Sequence, residues 1–154
     1  MTLDVIFDGA NVFVLPFWLM MIVLPKWGMT QRIINSTVPF AILAVVYIYL
    51  FITGLSPETA ESFANPTLTD LARLFSDPQI TATGWVHFLV MDLFVGRWIY
   101  QEGLRTGVWT IHSLLLCLFA GPMGLLSHLA TRFVVQAVRA RGVDAASESV
   151  PESP

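Results

Sequence analysis

Residues 84–103 read GWVHFLVMDLFVGRWIYQEG. Twenty residues of helix reach about 30 Å, the thickness of a bilayer's hydrocarbon core. Most of these residues are apolar, yet His87, Asp92 and Arg97 interrupt them at five-residue intervals. Five residues turn a helix through about 500°, so the three side chains leave it in different directions. An Asp at the centre of a span costs about 2.5–3.5 kcal/mol on the insertion scale. Such a group faces protein or a water-filled cavity rather than lipid. Asp92 shares a face with Trp85, Gly96 and Gly103, and small residues let a second helix approach closely. The pattern predicts a membrane helix packed on its Asp92 face. His87 and Arg97 then mark its two boundaries.

The rest of the chain agrees with that reading. Its 154 residues suffice for one domain, and 12% are charged where a soluble domain has about 25%. With a net charge of −3 nothing suggests nucleic acid as a partner. Cys117, the single cysteine, excludes an internal disulfide. Four spans are expected at about 5–24, 37–54, 83–101 and 108–133, as a membrane domain over 1–138. Trp27, Trp85, Trp98, Tyr100 and Trp109 fall near their ends as an aromatic belt. Asp4 and Asp8 precede the first apolar run, which argues against a cleaved signal peptide. The one long loop, 55–82, offers helix starts at Ser56-Pro57 and Asn65-Pro66. Leu68, Leu71, Ala72 and Phe75 make an apolar stripe on a short loop helix ended by Pro78. That helix either lies at the interface or covers the mouth of the bundle. Residues 139–154, small, acidic and Pro-containing, read as a disordered tail. The expected fold class is therefore all-α, an integral membrane four-helix bundle with one short extramembrane loop helix. The basic residues divide four and four between the two sides: Arg132, Arg139 and Arg141 argue for a cytoplasmic C-terminus, and Lys26 and Arg32 after an acidic N-terminus argue the reverse.

Folding the third and fourth spans about residue 105 sets three polar levels. His87 and His128 share one end, Asp92 lies beside Gly121-Pro122 in the middle, and Arg97 lies next to His112 at the other end. Pro122 frees a backbone carbonyl that must find a partner in lipid, and a protonated Asp92 is a donor at matching depth. His87 and His128 read as acid/base groups, as a haem pair, or as headgroup-level residues. Arg97 reads as an interfacial anchor or a substrate contact. Asn11 can hydrogen-bond between helices, and Pro16 kinks the first span. The sequence has no phosphate loop, nucleophile elbow or zincin pattern, and no metal site is expected.

Asn11, Pro16-Phe17-Trp18, Met21 and Pro25 come first, followed by Gly84-Trp85-Val86-His87, Asp92-Leu93-Phe94-Val95-Gly96-Arg97-Trp98 and Gly121-Pro122-Met123-Gly124-Leu125-Leu126. In that order they resemble the neoxanthin-synthase-related family, named for abscisic-acid deficiency in plants. The resemblance covers about residues 5–133 and implies a four-helix integral membrane protein. Plant members are needed to convert violaxanthin into neoxanthin, so it implies a xanthophyll or other apolar polyene as partner. The chemistry it implies is an isomerisation that needs no redox cofactor, and the residues of this chain that suit it are His87 or His128 as base and a protonated Asp92 as acid. Trp85, Phe88 and Phe94 would line a lipid-open groove, with Arg97 and Asn11 as further contacts. A short chain without a transit extension points to a bacterial or cyanobacterial inner or thylakoid membrane. The alternatives are a non-catalytic carotenoid binder, a scaffold for a partner membrane enzyme, and a haem or quinone protein.

Overall fold

A computed structural model describes residues 2–148. It is all-α among the described residues: α1 (Leu3–Val23), α2 (Gly28–Asn35), α3 (Val38–Thr53), α4 (Pro57–Ala64), α5 (Leu68–Leu74), α6 (Pro78–Thr106), α7 (Ile111–Phe119) and α8 (Gly121–Glu148). The chain forms two compact units that divide within α6, one ending at Phe94 and the other starting at Val95.

In the first unit α1 buries Ala10, Val14, Trp18 and Met21, a stripe at helical spacing. Its other faces are just as apolar: Val12, Leu15, Leu19 and Val23 all stand exposed. The third helix repeats this, with Leu43 and Leu50 inside and Val45, Ile48 and Ile52 outside. A water-soluble domain places polar side chains on such outer faces, whereas lipid accepts apolar ones on all sides. Leu3–Val23 and Gly28–Thr53 are the two stretches among the described residues that are long and apolar enough to cross a membrane. The second is interrupted at Ser36-Thr37, and Pro39 opens α3 in the first turn, where its missing N–H costs nothing. The polar residues of α6, a helix of 29 residues, lower its apolarity.

The long loop folds into α4 and α5. Ser56 starts α4 through a reciprocal capping box with Thr59. The second start falls at Thr67, which caps α5 by accepting from the Asp70 N–H, rather than at Asn65. Pro78 opens the following helix: Asp77 Oδ1 accepts from the N–H groups of Gln79 (2.8 Å) and Ile80 (3.1 Å), so α6 begins five residues before the expected span.

In the second unit α6 ends at Gly107, whose φ of +68° supplies the left-handed residue of a helix C-terminus. The segment expected as one span over 108–133 is two helices. Ala120 is extended, and Gly121-Pro122 form the first turn of α8 instead of a kink. The two helices fold back on each other as a tight hairpin. Close approach comes from small residues: Gly124 lies against Cys117, and the Ser113 and Ser127 hydroxyls meet at 3.1 Å. The nine residues of α7 reach about 14 Å, less than half of a hydrocarbon core, so α7 alone does not cross one. The last helix runs on to Glu148, so residues 139–148 of the expected tail are helical and 149–154 lie outside the described residues.

Candidate functional site

The first unit contains a pocket of about 220 Å³. One face of α6 supplies Ile80, Thr83, Gly84, His87 and Phe88, spaced as i, i+3, i+4, i+7 and i+8. The facing wall is Tyr47 and Phe51 of α3, one helical turn apart. The loop closes the pocket with Phe63 of α4 and Phe75, which follows α5, so these helices cover it. Gly84 makes that closure possible, because a Cβ there would lie 2.7 Å from the Phe75 ring. The rings form a continuous set. Tyr47 stacks on Phe51 at 5.9 Å, Tyr47 meets His87 at 5.6 Å, and Phe63 meets Phe51 at 6.4 Å between centroids.

Three side chains of this wall carry hydrogen-bonding groups: Tyr47, Thr83 and His87. The Thr83 hydroxyl is already used, donating to the Gln79 carbonyl at 2.8 Å. The Tyr47 hydroxyl and the His87 imidazole make ring contacts only, and neither hydrogen-bonds to a described residue. Next to the pocket, sharing Gly54 and Ile80 with it, is a polar cavity of about 480 Å³ lined by Ser56, Glu58, Asp70, Arg73, Asp77 and Gln79 among others. The Gln79 amide stands between them, donating to the Leu50 carbonyl (2.8 Å) and to the Thr53 hydroxyl (2.9 Å). A separate apolar groove of about 550 Å³ runs between α1 and α3, with Phe13 and Tyr49 on its walls.

The residues named from the sequence fall in both units. Phe88 and His87 line the pocket, while Trp85, Asp92 and Phe94 do not. The Trp85 Nε1–H donates to Asn11 Oδ1 (2.9 Å), and the Asn11 amide donates to the Phe7 carbonyl (2.8 Å). Asn11 thus ties α1 to α6. Phe94 packs edge-on against Phe40 at 5.9 Å. Asp92 is half-buried on α6, one turn past Phe88. Tyr47 escaped the sequence reading, because Tyr49 and Thr53 also carry hydroxyls in this apolar helix and nothing in the sequence sets Tyr47 apart.

His128, expected at one level with His87, belongs to a different neighbourhood in the second unit. It is fully buried, edge-on to Trp98 at 5.4 Å, among Glu102, Arg132 and His112. Neither ring nitrogen has a hydrogen-bond partner. Arg97 is half-buried in this unit. Across the α7–α8 hairpin, His112 Nε2 meets the Thr131 hydroxyl (2.8 Å) and the Ser113 hydroxyl (3.1 Å), and the Thr131 hydroxyl donates to the Ser127 carbonyl (2.9 Å). These bonds hold the hairpin, and His112 Nδ1 is buried without a partner. Glu102, 7% exposed, pairs with Arg105 (2.6 Å) and Arg132 (3.1 Å) just beyond the apolar part of α6. The Arg105 hydrogen bond and the two positive charges hold its carboxyl below the usual carboxylate range, against the opposing effect of burial. Among the described residues no group of three or more His, Cys, Asp or Glu side chains is placed to hold a metal ion.

Helices that are apolar on their outer as well as their inner faces define an all-α, membrane-associated protein. The family of ABA DEFICIENT 4-like proteins matches residues 5–128, and the chain belongs to it. It is 37% identical over 135 residues to the protein named ABA DEFICIENT 4, chloroplastic, of Arabidopsis thaliana. The alignment covers 84% of this chain and 61% of that protein, so the chain spans about three fifths of the length of the curated relative it matches. No solved structure is significantly similar to it.

Proposed function

We propose that this protein is a multi-pass membrane isomerase acting on a carotenoid, with a xanthophyll epoxide as substrate, and that His87 is its base. The observation that carries the reading is the aromatic pocket, an apolar chamber whose wall presents an unengaged imidazole. At about 220 Å³ it is smaller than the ~300–1,000 Å³ of pockets that enclose a whole drug-sized ligand. It suits one end ring of a long polyene, whose chain then lies along the apolar outer faces of the helices.

The reaction is an isomerisation. The base removes a proton from the vinylic carbon next to the epoxide, and that C–H electron pair becomes a new C=C bond. The adjacent C–O bond breaks toward oxygen, which takes up a proton. One proton leaves carbon and one reaches oxygen, so no oxidant or reductant is required. A positioned base contributes about 10²–10⁴-fold to such a step. Family membership and the apolar surroundings of His87 support this assignment. Asp92 and His128 remain the other acid/base candidates, and neither is part of the pocket wall.

The test is a pigment chromatogram of source cells with and without the gene, complemented by wild type, His87→Gln, Asp92→Asn or His128→Gln. The expected result is a carotenoid that disappears with the gene and returns with wild type but not with His87→Gln. A pigment profile unchanged by deletion refutes the carotenoid reading. Restoration by His87→Gln at wild-type level refutes His87 as the base.

A further inference from the structure

An epoxide cannot open on a base alone, because the departing oxygen needs a proton. We infer that Tyr47 is the acid that supplies it, working across the pocket from His87. This inference rests on the isomerase reading above and extends it to a residue of α3.

The pocket wall limits the choice. Of its three hydrogen-bonding side chains, Thr83 gives its proton to the Gln79 carbonyl. That leaves Tyr47 and His87, whose rings are 5.6 Å apart and tilted by 54°. The Tyr47 ring lies between Phe51 and His87, and a phenylalanine would fill that place equally well. The hydroxyl adds no hydrogen bond to a described residue, and a hydroxyl in apolar surroundings without a partner is a cost. Tyr49 gives the contrast. It lies two residues on, roughly on the opposite side of α3, and is 53% exposed, as expected of a tyrosine that anchors a helix near the headgroups. Tyr47 instead turns its hydroxyl-bearing ring toward the imidazole.

The pair also explains how the site resets. After one turnover His87 holds the carbon's proton and Tyr47 has lost its own. Transfer of that proton from imidazolium to phenolate returns both groups to their starting states. The two side chains are not hydrogen-bonded to each other, so one bridging water or a small ring movement completes the relay, and no outside base is needed.

The experiment uses the full chain in liposomes loaded with violaxanthin. Bound pigment is followed by absorption and the allenic isomer by chromatography, for wild type, Tyr47→Phe and Tyr49→Phe. Tyr47→Phe is expected to bind violaxanthin within about twofold of wild type while forming isomer at least about 100-fold more slowly. Tyr49→Phe is expected to match wild type in both. Conversion by Tyr47→Phe at the wild-type rate overturns the inference while leaving the isomerase reading intact. Loss of binding by Tyr47→Phe overturns the acid role, because the hydroxyl then holds the ligand. A wild-type protein that neither binds nor converts violaxanthin refutes the isomerase reading, and the role of Tyr47 falls with it.

Discussion

Replacing Gly124 by alanine tests what the close approach of α7 and α8 contributes to the fold. A Cβ at position 124 would lie 2.6 Å from both N and Cα of Cys117, and closer still to its Cβ. Ordinary contact begins near 3.4 Å, so the two helices must part by about 0.8 Å or more. The obstacle is backbone, which cannot swing aside as a side-chain tip would. That displacement takes the Ser113–Ser127 contact (3.1 Å) and the His112–Thr131 contact (2.8 Å) out to about 3.6 Å or beyond, where they cease to be hydrogen bonds. Each is worth about 1 kcal/mol net. Overpacking adds about 1–3 kcal/mol. Better helix propensity returns about 1 kcal/mol. The balance is a loss of about 2–4 kcal/mol, or a fall in melting midpoint of roughly 5–15 °C for a chain of this size. The assay is thermal unfolding of the detergent-solubilised protein, followed by circular dichroism. The reference variant is Gly9→Ala, where a Cβ meets nothing within 4 Å and the midpoint should hold or rise slightly. A Gly124→Ala protein that melts with or above wild type refutes the hairpin, and with it the reading of Pro122 as a helix start.

Three further outcomes follow from the packing. Glu102→Gln should remove an acid-dependent part of stability: a carboxyl held below its ordinary value of 4.5 stabilises the fold above that value. That contribution is lost as pH falls through the lowered value, so wild type should weaken below about pH 4.5 more steeply than the variant, and parallel melting curves against pH would contradict the ion-pair role. Asn11→Leu should cost about 0.5–1.5 kcal/mol and shift the indole N–H resonance of Trp85, and an unmoved resonance would show that the α1–α6 bond is not made. Gly84→Ala should drive the Phe75 ring off the pocket and weaken violaxanthin retention in liposomes, while unchanged retention would mean that Phe75 does not close it.

What could be read from the sequence was governed by local chemistry. The first two apolar stretches, the Ser56-Pro57 start and the turn at Gly107 depend on composition, capping and glycine, all of them visible in a few neighbouring residues. The hairpin was not, because Gly121-Pro122 inside an apolar run has two physical solutions. Proline kinks a continuing helix, or it opens a new one whose first turn needs no N–H. The signal that decides between them is the small-residue series Ser113, Cys117, Gly121, Gly124 and Ser127, which lets two helix backbones touch. Within the second unit the fold-back sets His128 beside Trp98 with Glu102 and Arg132, neighbours that a straight fourth span does not suggest. Tyr47 was missed for the opposite reason, since a tyrosine in an apolar helix is ordinarily a headgroup anchor and only the ring contact with His87 distinguishes it from Tyr49.

Polar groups in the apolar parts of this chain therefore differ in whether the protein itself satisfies them. Thr83 is bonded within its own helix, whereas Asn11, His112, Ser113 and Thr131 are bonded across helices and fix one against another. His87 and Tyr47 are not so bonded, and both lie on the wall of a cavity. In surroundings that offer little water, a group left unbonded by the protein carries a cost that a bound molecule can relieve. His128 departs from both sets: it is unbonded but fully buried and outside that wall. His87 and Tyr47 are the two such groups that meet, their rings 5.6 Å apart on the wall of one pocket, and that juxtaposition is the physical reason for placing the chemistry on α3 and α6 of the first unit.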